Sequence, residues 1–236
     1  MKPTSGVDLT PARRAAFRRL AEHTPGIDRE AYDAFGRDWR EPIIGLGPRD
    51  ARVCIFGRDP GRTEVEHAQP FVGKGGQLVR AALYRHGHGA DAVVPDFAAS
   101  LAAGREVFWL NTVPYKPVGN RAWSMAVKRR FQPLMAELLL DMWQGRGGER
   151  TVIALGREAF FWFGIAQAAH VGAALDAFWA QGDARYRRTL RIDYRAAGAT
   201  HAITLAPLPH PSPANAVWFA RFAGLMDERL RSLSNS

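Results

Sequence analysis

Four short apolar runs, at residues 53–56, 107–110, 151–155 and 202–205, set the strongest limit on what this chain can fold into. Each is soon followed by Gly, Pro or Asn. Sequence with apolar residues three and four apart then follows, at 77–86, 124–143, 157–163 and 217–231. Continuous apolar strands are covered on both faces, and strands that alternate with helices build a parallel sheet. The pattern predicts an α/β fold: a three-layer α/β/α sandwich around a central, mainly parallel four-stranded sheet. Residues 11–36 are expected to form helices packed on that sheet. In 185–195, RYRRTLRIDYR, arginines alternate with Tyr, Leu and Ile, which suits an exposed hairpin or edge strand. With no internal repeat, low-complexity tract or linker-like stretch, one domain is expected, 1–41 as an N-terminal helical segment and 42–231 as the core.

Composition narrows the function classes. Hydrophobic residues make up 47% and charged residues 23%, which excludes disordered, collagen-like and coiled-coil chains. The single cysteine, Cys54, excludes a disulfide framework, a Cys-rich zinc module and a cysteine-ligated iron–sulfur cluster. No 18-residue apolar run is present to span a membrane, and the first twenty residues lack a signal-peptide core. A soluble, cytoplasmic protein is expected. Lys plus Arg number 32 against 23 Asp plus Glu, a formal charge of +9. That suits a polyanionic partner such as nucleic acid, and equally a solvated basic surface.

In parallel sheets ligands bind beyond the carboxyl ends of the strands, so the segments just after each run carry the functional information. After the first run comes Gly57-Arg58-Asp59-Pro60-Gly61, opening a stretch to Gly76 with five glycines and two prolines. Such a length without structure of its own suggests a functional loop. It is not a Walker loop, because Lys74 precedes Gly rather than Ser or Thr. Taken alone, Asp-Pro-Gly is also a rigid turn with Asp59 as a cap. After the second run, Asn111 offers both an acceptor and a donor, a pair able to read a base edge, although Asn after a strand is commonly a turn residue. After the last run, His210-Pro211-Ser212-Pro213 holds an imidazole between prolines, or is an ordinary proline-rich loop.

Together the segments GLGPRDARVCIFGRDPGRTEVEHAQPFVGKGGQLV, VFWLNTVPYKPVGNRA, TVIALGREAFFWFG and LPHPSPAN resemble the uracil-DNA glycosylase superfamily, nearest to its family-4 branch, over residues 42–231. The resemblance implies a monofunctional glycosylase that flips uracil out of DNA and hydrolyses its N-glycosidic bond. Asp59 falls on the water-activating acidic position and His210 on the donor to uracil O2. Asn111 falls on the residue that pairs with uracil N3–H and O4, and Phe71 on the aromatic that stacks on the base. The backbone of Arg58 and Pro60 would close the pocket. Gly73, Lys74, Gly75 and Ser212 are candidate phosphate contacts. Asn215 and Val217 are candidates for filling the gap in the DNA.

Three departures accompany the resemblance. Two cluster-ligand positions of family 4 fall on Tyr115 and Phe131, so no iron–sulfur cluster is expected, and aromatic packing should take its place. The motif GRDPG replaces GEAPG and carries the aspartate of family 1. Gly61 stands where family 1 has the tyrosine that blocks the thymine methyl. Other constellations read more plainly. His86 and His88 suit a helix C-terminus rather than a metal site, and Lys128-Arg129-Arg130 suits a solvated helix face better than a phosphate track. Phe160, Phe161, Trp162 and Phe163 read as core or as an aromatic surface patch. The expected partner is uracil-containing DNA, placing the protein at the nucleoid, as a monomer without metal or organic cofactor. The alternatives are excision of another deaminated base, such as hypoxanthine or xanthine, and a catalytically idle binder of DNA or abasic sites.

Overall fold

The computed structural model describes residues 9–213 and 216–234. The strands are β1 (Val53–Gly57), β2 (Phe108–Asn111), β3 (Thr151–Leu155), β4 (Leu190–Ala196) and β5 (Ala199–Leu208), in the spatial order β2-β1-β3-β5-β4. The first four in that order run parallel, and β4 pairs antiparallel with β5 at the edge. The helices are α1 (Pro11–Glu22), α2 (Arg29–Asp33), α3 (Arg62–His67), α4 (Lys74–His88), α5 (Phe97–Ala103), α6 (Met125–Asp141), α7 (Arg157–Trp162), α8 (Ala169–Trp179) and α9 (Ala216–Ser234).

Period-two alternation within the apolar strands divides the core into two layers. Cys54, Phe56, Phe108, Leu110, Val152 and Ala154 point to the face that α1, α6, α7 and α8 cover. Val53, Ile55, Val107, Trp109, Ile153 and Leu155 point to the face that α4 and α9 cover. The three-layer α/β/α class is therefore the observed one, on a mainly parallel sheet of five strands rather than four.

The additional strand is the arginine-alternating segment. In β4, Ile192 and Tyr194 are buried while Arg191, Asp193 and Arg195 are exposed, the half-covered pattern of an edge. A two-residue turn, Ala197-Gly198, joins it to β5 with φ of 50° and 79°. Positive φ at both positions matches the right-handed twist of a hairpin. Pairing with β4 also lengthens β5 to ten residues, against the four expected.

A second correction concerns residues 57–76, expected to be a structureless loop. They contain α3 and the start of α4. Glu64, third in α3, accepts from the Gly61 amide at 2.9 Å, an arrangement that starts a helix. Helices α5 and α8 were not anticipated either; their alanine-rich stretches carry weak apolar periodicity.

Sheet order places the functional ends together. The chain runs from β1 outward to β2, then crosses back to β3 on the other side of β1. A parallel sheet opens a crevice at such a switch point, beyond the carboxyl ends of the strands. Asp59, Asn111, Gly156 and His210 all lie at that end.

Candidate active site

A cavity of about 170 Å³ occupies this crevice, and Arg58, Asp59, Phe71, Asn111, Leu155 and His210 are among its lining residues. Gly73, Lys74 and Gly75 border it from the start of α4. Pro60 and Ser212 lie in the adjoining groove, which Lys74 and Pro211 also line. Five segments distant in sequence thus converge. Asn215 lies outside the described residues.

Asp59 has a side chain only 1% exposed. The Thr112 hydroxyl lies 3.0 Å from its Oδ1 and 2.9 Å from the Arg58 carbonyl, so its single proton serves one of them. Oδ2 faces Arg58 Nε at 3.2 Å. Burial pushes the carboxyl up to about 6, against the opposing pull of the Arg58 guanidinium, the Thr112 hydroxyl, Lys128 and the Trp123 amide. The group is an anion at neutral pH, poorly solvated and charge-compensated.

Asn111 ends β2 and is buried. Its Oδ1 receives no hydrogen bond among the described residues. His210 follows β5, and burial together with the Arg58 charge lowers its imidazole to about 4, so it is neutral at pH 7. Its backbone carbonyl accepts from the Ser212 amide at 2.8 Å, tightening the His-Pro-Ser-Pro turn.

Phe71 closes the wall with φ of 56°, a left-handed backbone rarely tolerated by an aromatic residue. Three contacts hold it there. Arg80, buried, donates to the Phe71 carbonyl at 2.8 Å and stacks on Trp109 at 4.6 Å. Glu64 Oε1 accepts from the amides of Val72 at 3.0 Å and Gly73 at 2.6 Å. Trp109 packs on the Phe71 ring at a centroid distance of 4.9 Å. Gly57 permits this closeness, because a Cβ there would meet the Phe71 ring at 2.5 Å.

The family model of the uracil DNA glycosylase superfamily matches residues 44–234. The chain belongs to that superfamily.

Superfamily membership gives the departures in sequence a structural meaning. Tyr115 and Phe131 are fully buried with ring centroids 5.5 Å apart. Tyr115 donates to the Arg40 carbonyl at 2.9 Å, and Trp123 Nε1 to the Tyr115 carbonyl at 2.9 Å. Cys54, the lone cysteine, is sealed inside β1, where burial raises its thiol pKa. These residues do not fit the four-cysteine cluster of the family-4 branch. At Gly61, a Cβ would lie 2.8 Å from Glu64 Oε2. The Glu64 carboxylate thus occupies the space beside Gly61 that a side chain there would enter.

Glu64 and Arg80 clamp the wall of this candidate site. The Gly-x-x-Glu spacing at 61–64 was the available signal for the first. For Arg80 no local signal exists, since its partners are carbonyls nine to twenty-one residues away. Lys128 corrects another expectation. It is buried and paired with Glu158, not on a solvated face, whereas Arg129 is exposed and Arg130 donates to the His23 carbonyl. His86 and His88 end α4, contacting Ser234 and the Tyr84 carbonyl.

Proposed function

We propose that the protein is a monofunctional DNA glycosylase that accepts uracil flipped out of DNA and hydrolyses its N-glycosidic bond, leaving an abasic site. The observation that carries this reading is the buried Asn111 Oδ1 on the cavity wall, which has no donor among the described residues. An unsatisfied buried acceptor costs about 1–3 kcal/mol, which a ligand N–H removes. Uracil offers N3–H to that oxygen, and its O4 accepts from the amide nitrogen. Cytosine presents the reverse pattern and leaves both groups of Asn111 unpaired.

Bond cleavage builds positive charge on the sugar and negative charge on the base. Asp59 serves the sugar side, where its anion offsets the cation and orients the attacking water. His210, neutral at pH 7, donates its ring N–H to O2 of the departing base. Phe71 supplies a face for the flipped ring.

The test is incubation with uracil-containing duplex, followed by a free-base assay and alkali cleavage at the resulting site. Uracil release by the wild type and its loss in Asn111→Ala are expected. Release of hypoxanthine or xanthine instead, or abasic-site binding without any base release, overturns the reading. A site built to hydrogen-bond its substrate discriminates strongly, so wild-type rates in Asn111→Ala would also refute it.

A further inference from the structure

Away from the cavity, four aromatic rings form a continuous row around the β5–β4 side of the catalytic end. Phe161 lies 5.6 Å from Trp179, Trp179 lies 6.3 Å from Tyr186, and Tyr186 lies 4.8 Å from Trp218, centroid to centroid. Arginines cap the row along its length. Arg157 stands 4.5 Å over Phe161, Arg185 stands 4.5 and 4.6 Å over Trp179 and Tyr186, and Arg221 stands 4.8 Å over Trp218.

Topology brings parts of the row to the same end of the sheet as the cavity. Arg157 opens α7 two residues after β3 ends. The short helical turn Gly182–Arg187 packs on β5 and α9, and Leu190 behind it pairs with Leu205, near the catalytic end of β5. Trp218 and Arg221 sit in the first turns of α9, shortly after the His210 turn. Trp179 packs against the core layers on both sides of the sheet, so the row wraps around its edge.

The chemistry selects the ligand. The guanidinia already lie over the ring faces, so the rings offer no free platform for a stacking base. Arg185 spends its N–H groups inside the row, donating to the Trp179 carbonyl at 3.1 Å and the Tyr186 hydroxyl at 3.0 Å, with Nε buried. The planar N–H edges that remain for phosphate oxygens are those of Arg157 and Arg221, both exposed. Among the described residues, no carboxylate is paired with Arg157, Arg185 or Arg188, while Arg221 meets Asp183 only at 3.5 Å. Arg188, exposed, donates to the Gln181 side chain. We propose that this arginine–aromatic strip is a DNA-backbone contact that takes the phosphates of the duplex flanking the extruded nucleotide on one side. The inference rests on the glycosylase reading for the identity of the polymer.

The test compares the wild type with the triple variant Arg157→Gln/Arg188→Gln/Arg221→Gln. Binding to a long fluorescein-labelled duplex, with and without a central uracil, is followed as salt is varied. Each phosphate contact contributes about 0.9 to the logarithmic salt slope, so the triple variant should flatten it by roughly two to three. Near 0.1 M salt, relative to 1 M, this corresponds to roughly a hundred- to thousandfold loss of affinity, equal for both duplexes. Shortening the duplex from one end should erase the difference, and shortening it from the other end should not. Affinity should fall far more than the cleavage constant at saturating protein. The Arg→Lys triple keeps the charge without the planar fork, and should lie between the two. If the glutamine triple melts early, single Arg188→Gln, on an exposed side chain, should still flatten the slope by about one. An unchanged slope in folded variants, a loss confined to uracil DNA, or strip-dependent binding to anionic vesicles but not to DNA overturns the proposal. A wild type that binds duplex through the strip yet releases no base defeats the glycosylase reading and leaves the strip standing.

Discussion

Asp59 is kept where a carboxylate is costly to the fold. Its pKa of about 6 in the folded chain exceeds the usual carboxylate value of 3.8. A raised value means that its favourable contribution exists below the unfolded pKa and is lost as pH rises through about 6. The gap of roughly two units, at 1.36 kcal/mol each, is on the order of 3 kcal/mol. Asp59→Asn should therefore melt at a higher temperature than the wild type in mildly alkaline buffer, with the advantage fading in acid. Thermal melts across pH decide this, and a pH-independent difference would contradict it. The same variant should lose roughly a hundred- to thousand-fold in single-turnover rate, the usual cost of one preorganised electrostatic contact. His210→Ala should lose a similar factor. In the wild type, kcat/KM should rise with pH through about 6 as Asp59 ionises. The His210 imidazole, neutral above about 4, should add no limb in that range.

At the level of elements, the site depends on α4 meeting the turn after β5. A Cβ on Gly75 would sit 2.3 Å from the Pro211 carbonyl oxygen, a backbone atom that cannot swing aside. Gly75→Ala should push the His210 turn outward. A displacement near 1 Å costs about a hundredfold in rate, so a loss of that order is expected. For Gly87, on the same helix, such a Cβ meets nothing within 4 Å beyond its chain neighbours and its own helix backbone, among the described residues. Gly87→Ala should leave the rate intact and add about 0.5–1 kcal/mol of stability, because Ala restricts the unfolded chain more than Gly. Equal rates in the two variants would show that the helix and the turn do not need this approach. Glu64 works similarly, tying the amides of Gly61, Val72 and Gly73 so that the loop after β1 and the Phe71 wall move as one piece.

The whole molecule carries a charge of +9, which makes any DNA affinity strongly salt-dependent. Lys74, exposed at the first position of α4 and bordering the cavity, belongs to that effect. Lys74→Ala should weaken binding to uracil-containing and ordinary duplex alike, and flatten the salt slope by about one. A lysine at a helix N-terminus opposes the helix dipole, so this substitution should not lower the melting temperature. Fluorescence titrations at several salt concentrations check both halves. A Lys74 effect restricted to uracil DNA would contradict a phosphate contact.

Local patterns made the layers readable in the sequence. The apolar runs identify β1, β2 and β3 because a strand covered on both faces needs no partner-specific code. The motifs after them are legible because a parallel sheet gathers its strand ends. Asp59, Asn111 and His210 could therefore be named as candidates before any contact was known. The remaining features depend on residues far apart along the chain. Whether the arginine-alternating segment forms a hairpin alone or a fifth strand was decided by the open edge of β5. Burial, not neighbouring sequence, sets the Asp59 pKa, and one of its compensating charges, Lys128, arrives on α6. Arg80 and the arginine-capped aromatic row likewise exist only after packing, since their partners come from separate helices and loops. Periodicity is a property of neighbours along the chain, whereas desolvation and charge pairing belong to neighbours in space, and only the folded chain supplies those.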